Sequence, residues 1–108
     1  MSQNVSELTK SEFDSFIKKG LVLVDFYADW CMPCVMMAPV MEELSKKFKN
    51  KITFGKLNVD DNREIAQKYN IRSIPNFILF EDGKIKDNFV GAIYIDEFEK
   101  KLKEHLVK

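Results

Sequence analysis

The chain has 108 residues, 45% hydrophobic and 31% charged, with 17 basic side chains balanced by 17 acidic ones. That length suits one domain, expected to span 1–108 around one core, and the composition excludes a disordered chain. Zero net charge offers no broad attraction to nucleic acid or an anionic membrane, and Arg63 and Arg72 are the only arginines for bidentate phosphate contacts. Neither class of partner is expected.

The start, Met1-Ser2-Gln3-Asn4-Val5-Ser6-Glu7, is polar and does not read as a signal peptide. Asn4 to Leu8 fits a short first strand. Thr9-Lys10-Ser11-Glu12 reads as a capping box, followed by Phe13, Phe16 and Ile17 at helical spacing and by Gly20 as a stop. Leu21 to Tyr27 is nearly all apolar, as in a strand covered on both faces, and is too short to span a bilayer. Met37, Met41, Leu44 and Phe48 form the stripe of a second helix, with Lys46, Lys47 and Lys49 in its last turns. Pro39 is expected to kink it.

Ile52 to Val59 is a further strand, and Ile65, Ala66 and Tyr69 mark a short third helix. Asn76 to Phe80 and Lys84 to Val90 are strands joined by Asp82-Gly83, a strong hairpin signal. Phe98, Leu102 and Leu106 mark a last helix, where the lone His105 is expected to be solvated. The order β-α-β-α-β-α-β-β-α predicts an α/β fold. Its central mixed sheet has parallel early strands and an antiparallel C-terminal hairpin, flanked by four helices on its two faces.

Both cysteines lie in Asp29-Trp30-Cys31-Met32-Pro33-Cys34-Val35, between a buried strand and a helix. A thiolate is the nucleophile in disulfide exchange, and a helix N-terminus favours its negative charge. Cys31 sits at that terminus, Pro33 fits the first turn, and Cys34 follows one turn on, close enough to form a small disulfide ring. Three other uses compete. A permanent staple is rare in the cytoplasm, the compartment expected here. A zinc site needs more ligands than two thiols and a distant His105 supply. A copper(I) carrier would draw on the thiolates with Met32, Met36, Met37 and Met41, although the spacing of Met37 and Met41 also fits core packing.

The stretch Val22-Leu23-Val24-Asp25-Phe26-Tyr27-Ala28-Asp29-Trp30-Cys31-Met32-Pro33-Cys34 resembles the active-site segment of the thioredoxin family. Ala38-Pro39, Lys56-Leu57-Asn58-Val59-Asp60, Tyr69-Asn70-Ile71-Arg72-Ser73-Ile74-Pro75 and Val90-Gly91-Ala92 match the family in its order, so the resemblance covers essentially the whole chain. It implies a thioredoxin fold and a dithiol–disulfide oxidoreductase. In this reading Cys31 is the exposed attacking nucleophile and Cys34 the resolving thiol. The resemblance further implies no bound cofactor, electrons from a separate thioredoxin reductase using flavin and NADPH, disulfide-containing protein substrates and a monomer. Two departures stand out: Met32 replaces the family's usual Gly between the cysteines, and Val35 stands where Lys is common. Met32 keeps open the reverse direction, a disulfide oxidase or isomerase on the same fold. A redox-inert docking scaffold is a further alternative, against which the intact cysteine pair argues.

Supporting residues follow from the alternation and the resemblance together. Asp25 interrupts an apolar strand on the face of Leu21, Leu23 and Tyr27, so it is either a buried carboxyl or a polar strand end. The resemblance implies that it moves protons for Cys34. Lys56, on the face of Ile52 and Phe54, either tunes Asp25 by its charge or is solvated. The resemblance makes Pro75 the family's cis-proline facing the cysteines, where free backbone groups pair with an extended substrate; otherwise it is an edge proline. Trp30, Ile74, Gly91 and Ala92 resemble the family's apolar substrate rim, the alternative for Trp30 being core packing.

Overall fold

The computed structural model describes residues 4–107; the two ends of the expected 1–108 domain, residues 1–3 and 108, lie outside the described residues. The elements follow the predicted order: β1 Val5–Glu7, α1 Lys10–Ile17, β2 Leu21–Tyr27, α2 Met32–Lys47, β3 Thr53–Asn58, α3 Arg63–Lys68, β4 Asn76–Glu81, β5 Lys84–Val90 and α4 Ile95–Glu104. β1 and β3 are shorter than predicted, but pairing runs past their ends. The Leu8 amide donates to the Lys56 carbonyl and the Val59 amide to the Tyr27 carbonyl, each at 2.8 Å.

One mixed sheet has the order β1-β3-β2-β4-β5. β1 and β2 flank β3 in parallel, β4 runs antiparallel to β2, and β5 antiparallel to β4. The crossover α2 between β2 and β3 makes that pair parallel, whereas Asp82-Gly83 turns β4 directly into β5. Both turn residues have positive φ, 52° and 86°, as a tight two-residue hairpin requires. The Asp82 carboxylate also accepts the Gly20 amide at 2.8 Å, tying this turn to the end of α1.

Alternation along the strands divides the core by sheet face. Leu23, Phe54, Phe77 and Leu79 pack with Met37, Met41 and Leu44 of α2 and with Phe98 and Leu102 of α4. Val22, Val24, Phe26, Leu57 and Phe80 pack on the other face with Phe13 and Ile17 of α1 and Ile65 of α3. Gly55 is required by this second packing. A Cβ there would lie 2.7 Å from Phe16 Cε2 and 3.0 Å from Leu8 Cδ1.

α2 continues through Pro39 to Lys47, although Pro39 has no amide to donate to the preceding turn. His105 departs from its predicted solvated state. It caps the C-terminus of α4, its side chain is 19% exposed, and Nε2 lies 2.8 Å from Asp87 Oδ2. The fold brings β5 beside the end of α4, which supplies a partner that the local sequence does not reveal.

Candidate active site

β2 ends at Tyr27, and four residues later Cys31 is the N-cap of α2. Its extended backbone (φ −88°, ψ 106°) turns the chain into the helix, and Pro33 occupies the first turn, where no amide is needed. Cys31 and Cys34 are joined by a disulfide with their Cα atoms 5.2 Å apart. The Cys34 amide lies 3.3 Å from Cys31 Sγ and donates towards it. This is one of the free N–H groups of a helix start, directed at the sulfur that would carry negative charge once reduced.

Cys31 was expected to be exposed. With the disulfide closed it is 5% exposed, and Cys34 is also buried. Ala28 packs with the two cysteines, and half-buried Ile74 leans on them. The Ile74 carbonyl oxygen lies 3.8 Å from Cys31 Sγ. In the disulfide that sulfur has no proton, so the contact becomes a hydrogen bond only with the thiol. The Ile74–Pro75 peptide is cis, and the Pro75 carbonyl accepts the Gly91 amide at 2.8 Å. The Ile74-Pro75 turn thus meets the cysteines on one side and Gly91 on the other. Ala92, beyond Gly91, is exposed.

Trp30 is not a core residue: it is 72% exposed, with its indole Nε1 donating to Asp60 Oδ2 at 2.9 Å. Asp60 is in turn placed by Asn58, whose side-chain oxygen accepts the Asp60 and Asp61 amides at 2.9 and 3.3 Å. Sequence reasoning assigned no role to either residue. Asn58 two residues before Asp60 is an Asx-turn signal that could have marked the turn, though not its indole partner.

Behind the disulfide, a cleft of about 700 Å³ is lined by Asp25, Cys34 and Lys56, with Tyr27, Ala38 and Met41 among its other walls. Asp25 is therefore the buried carboxyl of the two predicted alternatives. It is 4% exposed, and Oδ1 has no hydrogen-bond partner. Burial pushes its pKa up to about 7, against the opposing pull of the Lys56 charge and with a further push from Glu7. Lys56 faces Asp25 across the β2–β3 register. Its Nζ lies 3.7 Å from Glu7 Oε1 and 5.4 Å from the centroid of the Tyr27 ring. Neither Glu7 nor Tyr27 was singled out from the sequence. Burial and the hydrogen bond to Glu7 raise the Tyr27 pKa.

α2 separates the methionines. Met37 and Met41 are in the core, while Met32 and Met36 are each 66% exposed. The four therefore do not share one face of the helix. Among the described residues no group of three or more His, Cys, Asp or Glu side chains is arranged to hold a metal ion, and no helix is long and apolar enough to cross a membrane.

Comparison with known proteins agrees with this site. The thioredoxin family profile matches residues 4–104. A thioredoxin of Staphylococcus epidermidis is 44% identical over 102 residues, covering 94% of this chain and 98% of that protein. One of Staphylococcus aureus is 42% identical over the same shares.

Proposed function

The chain belongs to the thioredoxin family and is a protein thiol–disulfide oxidoreductase, and from that premise we propose that it works in the reducing direction, delivering electrons from a Cys31–Cys34 dithiol to protein disulfides. The observation that carries this reading is the disulfide at the start of α2, with the Cys31 sulfur under a helix-terminal amide and Cys34 beside a cleft containing Asp25.

The Cys31 thiolate attacks one sulfur of a partner disulfide. A mixed disulfide forms, and the partner's other sulfur leaves as a thiolate that takes a proton from water. The Asp25 carboxylate, with a pKa near neutrality, then accepts the Cys34 thiol proton, directly or through water in the cleft. The Cys34 thiolate attacks Cys31 Sγ, the second partner thiolate leaves, and the protein is left as the disulfide. Two electrons and two protons from a separate flavin- and NADPH-dependent thioredoxin reductase restore the dithiol. The chain itself needs no cofactor. Lys56 tempers the carboxyl, and Pro33 shapes the helix start. Pro75 with Ile74 presents the backbone edge on which an extended substrate adds, and Trp30, Gly91 and Ala92 complete the docking rim. In this reading the protein is a cytoplasmic monomer, one domain over 1–108, that acts in cell redox homeostasis.

The test has two parts. The equilibrium reduction potential of the cysteine pair, followed by Trp30 fluorescence in defined thiol buffers, is expected at the reducing end of the family scale. A strongly oxidising value would reverse the direction and make the protein a disulfide oxidase or isomerase. Cys34→Ser is expected to accumulate mixed disulfides on Cys31, visible by mass spectrometry. Their accumulation in Cys31→Ser instead would exchange the two roles.

A further inference from the structure

Two registers place three charged side chains in one row. Glu7 of β1 is opposite Lys56 of β3, and Lys56 is opposite Asp25 of β2. Directly opposed residues project from the same face. This face is the one covered by α2 and α4, since Val5, Phe54 and Leu23, two positions earlier on each strand, pack there. One cation therefore stands between two carboxyl groups, the inner one buried and the outer one, Glu7, with a side chain 49% exposed.

The cation is not shared evenly. Among the described residues, the carboxylate within ion-pair distance of Lys56 is that of Glu7, at 3.7 Å. The same oxygen, Oε1, accepts the Tyr27 hydroxyl at 2.6 Å. Tyr27 thus holds Glu7 while its ring lies under the Lys56 ammonium. Asp25 Oδ1 remains without a partner.

We propose that Glu7, held by the Tyr27 hydroxyl, is a positioning residue that draws Lys56 towards the surface and keeps the Asp25 carboxyl from being taken up in a buried ion pair. The inference rests on Asp25 as the proton acceptor for Cys34. A carboxylate locked against an ammonium gives up its basicity, whereas one poised near neutral pH exchanges protons readily. Glu7 acts twice in one direction: its own charge opposes ionisation of Asp25, and its hold on Lys56 weakens the cation that favours ionisation. The cleft that Asp25 lines is also lined by Tyr27, by Cys34, Glu42, Glu43 and Lys46 from α2, and by Asp29 from the turn after β2. A substitution at Glu7 leaves each of these in place.

The test reads Asp25 itself. The oxidised protein, carrying carbon-13 aspartate, is titrated while the Asp25 carboxyl signal is followed by NMR. In the unaltered chain the midpoint is expected at about 7. Glu7→Gln frees Lys56 and removes a negative charge, so the midpoint is expected to fall by about half a pH unit or more, raising the ratio of ionised to neutral Asp25 about threefold. Glu7→Asp, which keeps the charge, restores most of the original midpoint, and Tyr27→Phe moves it in the direction of Glu7→Gln by less. A merely structural Glu7 would change the unfolding midpoint and leave the titration alone, and that result overturns the proposal. The pH profile of protein-disulfide reduction is measured beside it, in the same variants and in Asp25→Asn. If Asp25→Asn abolishes the near-neutral step while Glu7→Gln leaves it unmoved, the Glu7 role is wrong and the proton-acceptor role stands. If Asp25→Asn leaves the profile intact, the proton-acceptor role falls, and with it the functional meaning of the Glu7 hold, even where the NMR midpoint shifts.

Discussion

Asp25→Asn should stabilise the oxidised protein, and by an amount that depends on pH. Burial raises the Asp25 pKa from 3.8 to about 7. In the unfolded chain the carboxyl returns to its ordinary value, so below that value both states hold the proton and the residue costs nothing. Between the two values the unfolded state has lost its proton and the folded state has not, and each pH unit of rise lowers stability by about 1.4 kcal/mol. Above the folded pKa both states are ionised and the accumulated penalty, about 4 kcal/mol, is constant. The penalty is thus absent below the unfolded value, grows between the two values and is complete above the folded one. Asn is close in size and cannot ionise. The assay is urea unfolding of the two oxidised proteins at about pH 4 and about pH 8, with linear extrapolation. The variant should exceed the parent by about 4 kcal/mol more at the higher pH than at the lower one. Equal differences at both would mean that Asp25 titrates alike in folded and unfolded chains, and would refute the argument from burial.

Three further outcomes follow from particular contacts. Asp60→Ala removes the acceptor 2.9 Å from the Trp30 indole; Trp30 emission should change, KM for a protein disulfide should rise with little change towards a small disulfide, and stability should move by less than about 0.5 kcal/mol. Gly55→Ala places a methyl group against Phe16 and Leu8, so chemical denaturation should show a loss of about 1–3 kcal/mol, and an unchanged midpoint would mean that α1 shifts freely. Phe98→Ala empties a site of 0% exposure whose ring centroid lies 4.9 Å from that of Phe77 and 5.5 Å from that of Phe89. Thermal and urea unfolding should report a loss of about 3–5 kcal/mol.

Much of this molecule depends on interactions within a few residues, and those were legible in the sequence. The Leu21–Tyr27 run, the stripe of Met37, Met41 and Leu44, and the Asp82-Gly83 turn each encode an element through local sterics and periodic burial. The placement of Cys31 at a helix start follows in the same way, because strand, turn and helix signals are contiguous there. Alternation was enough to put Asp25 and Lys56 on their faces, and the family resemblance added the cis bond at Pro75.

Tertiary structure decided the rest, because the partners are far apart in the chain. Strand register, set by which faces must be buried together, brings Glu7 to Lys56 and Tyr27 to Glu7. Packing of the Ile74 turn against the helix start buries Cys31, which the thioredoxin reading had expected to be exposed. The route from β3 to α3 carries Asp60 to Trp30, and the docking of α4 against β5 gives His105 its carboxylate. Local sequence thus determines the elements and the reactive pair. The environment that sets a proton's affinity for Asp25 exists only when three strands and a helix have assembled, since it consists of excluded water and of charges contributed by each of them.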